Sequence, residues 1–226
     1  MMSIRPFVLQ LILAVTCNGY IVKDGNCSMV SEKLPVVKNF ELEKYLGKWY
    51  EIERYEQDYQ RNMECVTVEY SQGEGNQSFE FKNKGLLPEK NAYASFSGSG
   101  ILSDPTAEPL VGKLNISYGI KHAGDSNYWI MDTDYTSFAL IYSCVPIVDT
   151  ASVIEGYWLL SRMPELPEEL QILEKVKFIQ NTYFIADHVR TTNQSQSLCR
   201  MEPKEPVTSD ILIFPLLPDV KIEPRK

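Results

Sequence analysis

Between Lys48 and Arg162 the chain repeatedly alternates apolar with polar residues, in short segments broken by Gly, Pro, Asn and Asp. Successive side chains of an extended backbone leave on opposite faces, so a period of two specifies strands with one buried and one exposed face. The pattern is clearest in Phe79-Glu80-Phe81-Lys82, Val66-Thr67-Val68-Glu69-Tyr70 and Leu114-Asn115-Ile116-Ser117-Tyr118. Eight strands are predicted on this basis: Lys48–Gln57, Glu64–Ser71, Gln77–Lys84, Asn91–Leu102, Leu110–Tyr118, Asn127–Asp132, Ser137–Val145 and Glu155–Arg162. Strands so short and evenly spaced build an antiparallel barrel or sandwich. A barrel of this size either fills its interior with side chains or leaves room for one small ligand.

One helix is expected after the strands. Pro167 suits a first helical turn, Glu168 and Glu169 suit the positive end of the dipole, and Leu170, Leu173, Val176 and Ile179 form an apolar stripe. A last short strand is expected near Tyr183–Val189. The first 19 residues carry Arg5, an apolar run from Phe7 to Val15 and small residues at Thr16, Cys17 and Gly19, the layout of a secretory signal peptide cut near 17–19. Residues 20–199 then form one domain, followed by a Pro- and charge-rich tail, 200–226, that is expected to be poorly ordered. Its Ile211–Leu217 patch is a candidate contact for a membrane surface or a receptor, and its charged final residues argue against a lipid-anchor signal.

An exported chain meets an oxidising compartment, and beyond Cys17 four cysteines remain: Cys27, Cys65, Cys144 and Cys199. Two disulfides are expected, with three pairings open. No Cys-x-x-Cys pair occurs and His122 and His188 lie far from any cysteine, so no metal site is expected. Asn-x-Ser sequons at Asn76, Asn115 and Asn193 are glycosylation candidates; at Asn26 the middle residue is Cys27, whose oxidation competes with glycan transfer. The formal charge of −8, with 22 Lys and Arg against 30 Asp and Glu and no long basic run, makes nucleic acid an unsuitable partner.

Three separated motifs carry a resemblance. Gly47-Lys48-Trp49 opens the first strand, Thr133-Asp134-Tyr135 joins the sixth and seventh, and Arg162 ends the eighth. With Tyr45-Leu46, Asn127-Tyr128-Trp129-Ile130, Ala139 to Cys144 and Trp158-Leu159-Leu160-Ser161, they resemble the lipocalins, in the branch of apolipoprotein D, Lazarillo and the insect bilin-binding proteins. The resemblance covers roughly Cys27 to Cys199. It implies an eight-stranded antiparallel up-and-down barrel with the helix packed outside, the pairings Cys27–Cys144 and Cys65–Cys199, and Arg162 lying over the Trp49 ring, a contact worth on the order of 1 kcal/mol. One departure is the polar Gln57–Met63 segment, where relatives often carry a more apolar entrance.

With the phase that this resemblance gives, Val68, Tyr70, Phe79, Phe81, Phe96, Ile116, Tyr118, Tyr128, Ile141 and Trp158 are expected to face the lumen and bind ligand. The first strand resists the treatment. With Trp49 inward, strict alternation sends Glu51 and Glu53 inward too, so a bulge or a solvated lower surface must intervene, and that strand is left unassigned. The expected function is that of a secreted carrier for a fatty acid, sterol, retinoid or bilin, with no cofactor other than a bound bilin or lipid. The alternative is a protein-interaction module whose barrel is packed shut. Catalysis is not expected: Gly-x-Ser-x-Gly and phosphate-loop motifs are missing, and oxidised cysteines would supply no nucleophile such as the thiol of the isomerase branch.

Overall fold

The computed structural model describes residues 21–27, 33–117, 128–147 and 149–200. The expected signal segment, the tail beyond Arg200 with its Ile211–Leu217 patch, Tyr118 and His122 lie outside the described residues. Among the described residues ten strands form one sheet: β1 (Ile21–Asp24), β2 (Gly47–Tyr55), β3 (Glu64–Gln72), β4 (Ser78–Leu87), β5 (Ala92–Leu102), β6 (Lys113–Ser117), β7 (Tyr128–Thr133), β8 (Phe138–Pro146), β9 (Ser152–Ser161) and β10 (Val189–Thr191). Sequential neighbours pair antiparallel from β2 to β9, and β9 pairs back with β2, so these eight close into an up-and-down barrel. Closure removes the exposed edges that an open sheet would present. The outer strands β1 and β10 lean on β9 and β2.

The predicted segment from Leu110 contributes only its second half to the barrel, β6. The backbone of residues 110–112 turns instead to the incoming chain, where Phe40 N donates to Leu110 O and Gly112 N to Val37 O. Residues 37–46, with the short helix α1 (Leu42–Tyr45), thereby close one end of the barrel. The last strand also begins later than expected, at Val189. Helix α2 (Leu170–Tyr183) consumes the start of the predicted segment, and Phe184 packs its ring 4.4 Å from that of Tyr157, while Ile185 N donates to Tyr55 Oη, ending any extended run there.

Alternation divides the apolar residues into two cores. The inner one holds Trp49, Val68, Tyr70, Phe79, Phe81, Ile116, Tyr128, Ile141 and Trp158. The outer one lies between the reverse face of β7 to β9 and helix α2, joining Trp129, Leu140, Tyr142 and Leu159 to Ile172, Val176 and Ile179. Each of these helix residues contributes about 1.5–3 kcal/mol by burial. Ile172 replaces Leu173 in the predicted stripe, since Leu173 is only half-buried on its flank.

Two disulfides staple the segments that flank the barrel to it. Cys27 joins Cys144 on β8 and Cys65 on β3 joins Cys199, over sequence separations of 117 and 134 residues. Loops so long favour the folded state by about 4–5 kcal/mol in the chain-entropy model. The double variant Cys27→Ser with Cys144→Ser is expected to lower stability by about 2–5 kcal/mol in urea unfolding; a loss under 1 kcal/mol would mean that the bridge is not stabilising.

Candidate ligand-binding site

The floor of the barrel is built on Arg162, the first residue after β9. Its guanidinium carbon stands 3.6 Å from the centre of the Trp49 ring. Its N–H groups donate to the carbonyls of Tyr135 at 2.9 Å, Lys48 at 3.0 Å and Lys44 at 2.9 Å. Trp49, fully buried, donates its indole N–H to Tyr45 O at 2.9 Å. Gly47 has φ +96°, and a β-carbon there would meet Arg162 Nη1 at 3.3 Å, so the backbone conformation and the space both call for glycine.

Thr133-Asp134-Tyr135 forms the turn that carries one of these carbonyls. Asp134 Oδ1 accepts from the backbone N–H groups of Thr136, Ser137 and Phe138, while Thr133 Oγ1 accepts from Tyr135 N. Tyr135 adopts φ +66° and its hydroxyl accepts from Glu41 N, which ties the turn to the segment before α1. Burial pushes the Asp134 carboxyl up, but the N–H groups of Ser137, Phe138 and Thr136 outweigh that and hold it below the usual carboxylate range.

Above the floor lies a lumen lined by Glu51, Tyr59, Gln60, Val66, Val68, Tyr70, Phe81, Asn83, Ile116, Tyr128, Trp158 and Leu160. The free cavity between these side chains amounts to about 30 Å³. That is room for one or two waters, and a larger guest enters only as side chains rotate. Tyr59 closes the lumen from the open end. It stands on the short 3-10 turn between β2 and β3, and its ring meets Phe96 edge-on at 5.3 Å.

Six of the ten residues predicted to bind ligand line this space: Val68, Tyr70, Phe81, Ile116, Tyr128 and Trp158. Phe79 and Ile141 face inward but are spent on packing, and Phe96 packs against the inner core without lining the lumen. Phe81 reaches the lumen across Gly98, where a β-carbon would come within 2.5 Å of its ring.

The residues that alternation missed are mostly polar. Between Glu51 and Glu53 the β2–β9 register slips by one, a bulge at Ile52 that turns Trp49, Glu51 and Arg54 inward but Glu53 outward toward Tyr157. Glu51 accepts from Arg54 Nη1 at 2.5 Å, Thr192 Oγ1 at 2.6 Å and Gln60 Nε2 at 2.9 Å; Gln60 Oε1 in turn accepts from Trp158 Nε1 at 3.1 Å. Arg54 also donates to Glu56 and to the carbonyls of Gln60 and Met63. The fully buried guanidinium is thus neutralised within the wall. The signal that could have found these residues is the clash itself, a charged residue two places after an inward Trp49.

Near the floor, Tyr70 and Tyr128 share a hydrogen bond of 2.8 Å between their hydroxyls. The buried Tyr45 hydroxyl lies against both of them, so that the three phenols form one buried polar cluster. Burial pushes Tyr45 up to about 12 and Tyr128 well above its ordinary value, so both remain protonated at neutral pH. Of the sequons, Asn76 and Asn193 are exposed and Asn115 is half-buried on β6.

Residues 40–194 match the family model described as a lipocalin-like domain. The chain belongs to the lipocalin family. It is 32% identical to rat apolipoprotein D over 189 residues, covering 83% of this chain and 91% of the relative. Insecticyanin from the tobacco hornworm Manduca sexta shares the fold with a TM-score of 0.66 at 20% identity, over 84% of this chain and 96% of that one. Lobster apocrustacyanin A1 does so at 0.58 and 22%, over 80% and 93%.

Arg162→Ala leaves three carbonyls without their donor and uncovers Trp49, and is expected to lower stability by about 2–4 kcal/mol; Arg162→Lys should recover less than half, because a single ammonium cannot span the three carbonyls. Full rescue by lysine in urea unfolding would refute the geometric role. Asp134, with its folded pKa below the unfolded value of roughly 3.9, contributes stability at neutral pH that is lost as pH falls through and below about 4. Asp134→Asn should therefore be less stable than the parent at pH 7, by a gap that narrows as pH falls below about 4, read from urea midpoints; a gap that does not narrow would exclude the carboxylate charge as the cause.

Proposed function

We propose that this lipocalin is a secreted carrier that reversibly binds a small hydrophobic molecule in its barrel. The observation that carries the reading is a closed barrel with aromatic and aliphatic side chains turned toward a lumen, above a floor sealed by Trp49. A guest there would leave bulk water, so each 100 Å² of its apolar surface would contribute about 2.5 kcal/mol, against the entropy of association. The relationship to rat apolipoprotein D supports a lipid as the guest. Two disulfides suit export to an oxidising compartment, and among the described residues no helix is long and apolar enough to cross a membrane. A sterol, retinoid, fatty acid or bilin all match the apolar walls, and the reading requires no catalytic step.

The small free volume favours a second reading, a protein-interaction module whose barrel stays shut. The two differ in whether Tyr59 and its neighbours yield to a guest. Titration of the protein with retinol, arachidonate and biliverdin, followed by the fluorescence of Trp158, separates them. Saturable quenching at micromolar concentration by at least one, abolished by Trp158→Phe, is expected of a carrier; no quenching by any of the three would leave the closed module.

A further inference from the structure

On the outer surface at the closed end of the barrel, the turn between β3 and β4 stands beside the segment that follows β5. Between them lies an open groove of about 640 Å³, with Ile101 and Pro105 as apolar lining and Glu74, Asn76, Ser78 and Ser103 as polar lining. Ile101 is 48% exposed and stands on the outward face of β5, in register between Ser78 and Asn115. The turn is held stiffly. Gln72 Nε2 donates to the carbonyls of Gly75 and Ser78, Ser78 Oγ to Glu74 O at 2.6 Å, and Leu102 N to Gln77 O at 3.0 Å. Asn76 is exposed in the wall of the groove, and its side chain makes no hydrogen bond among the described residues. It also opens the sequon Asn76-Gln77-Ser78. The amides of the other two candidates are engaged in the fold: Asn193 Oδ1 accepts from Ser195 N at 2.9 Å, and Asn115 Oδ1 accepts from Ser103 Oγ at 3.4 Å.

Resting on the export that the carrier reading requires, we propose that Asn76 carries an N-linked oligosaccharide whose first N-acetylglucosamine lies in this groove, a C–H face on Ile101 and Pro105 and its polar groups toward the rim. The donor is an oligosaccharide on a lipid diphosphate. The bond from Asn76 Nδ2 to sugar C1 forms as the bond from C1 to the diphosphate oxygen breaks; the lipid diphosphate leaves and the amide gives up one proton. The sequon hydroxyl, Ser78 Oγ, is committed to Glu74 O in the folded turn, so transfer precedes closure of this hairpin and the sugar then settles on the finished surface. A pyranose ring carries C–H groups on its faces and hydroxyls at its edge, which matches an apolar floor with a polar rim. A free sugar would not stay on so small a patch. A tethered one meets it at high effective concentration, and the stiff turn limits where it can go.

The full chain, secreted with its own leader from a eukaryotic cell that keeps its glycans high in mannose, provides the test. Peptide mass spectrometry after enzymatic release of the glycans in heavy-oxygen water is expected to find Asn76 occupied. Secreted protein with Asn76 bare would overturn the inference and leave the carrier reading intact; a chain found unglycosylated in the cytosol would overturn the export on which both rest. Trimming with an endoglycosidase that leaves one N-acetylglucosamine should leave Tm unchanged, whereas Asn76→Gln should lower it by about 2–4 °C, the shift of one small contact in a domain of this size. A fall on trimming equal to that of Asn76→Gln would show that the outer sugars carry the effect and would overturn the seat. Ile101 points outward, so Ile101→Ser leaves the core in place, and in that background Asn76→Gln should change Tm by less than about 1 °C. An equal fall in both backgrounds would overturn the contact with Ile101.

Discussion

The guanidinium of Arg162 is the joint on which the barrel is assembled. It binds carbonyls from the end of α1, the start of β2 and the turn between β7 and β8, segments from opposite ends of the sequence. Planarity matters here, because one flat group covers the Trp49 indole and still aims its N–H bonds around the rim. A lysine has neither the plane nor the fork. The glycine at Gly47, the indole N–H bonded to Tyr45 and the left-handed Tyr135 can all be read as accommodations to this one cation.

Once the floor is sealed, the bulge at Ile52 decides the chemistry above it. Without the slip, Glu53 would face the lumen and Arg54 the outer core, where the rings of Tyr55, Tyr157 and Phe184 now pack tilted and edge-on. With it, one acid and one base enter the wall together and neutralise each other, and Gln60 connects them to Trp158. The resulting lumen is apolar with a small polar band, rather than uniformly greasy.

Much of this was legible in the residues because a period of two is a strong constraint when one face must be dry. It placed the eight barrel strands within a few residues, and the resemblance fixed which face of β3, β4, β6, β7 and β9 turns inward. The resemblance carried by Gly47, Trp49, Thr133-Asp134-Tyr135 and Arg162 supplied the disulfide pairing, which spacing alone left open. What alternation could not give is a change of phase inside a strand, so Glu51 went unassigned. Nor could it tell an inward residue that lines space from one that fills it: Phe79 and Ile141 obey the same pattern as Phe81 and Trp158. Tyr59 and Gln60 sit on a turn, where no periodicity exists to be read.

The upper wall has a composition of its own. β2 pairs with β3 only from Gly47 to Tyr50, and above that point the two strands part. The gap is bridged by residues from the far end of the domain: β10 pairs with Glu53–Tyr55, Thr192 N donates to Ile52 O, Asn193 O accepts from Cys65 N, and the Gln194 amide binds the carbonyls of both Glu51 and Val66. A ribosome therefore delivers the keystone last. Without Thr192 to Gln194 the wall would have a slot in its side, and Arg54 would lack one of the groups that shelter it. The wall is therefore complete only once nearly the whole domain has been made.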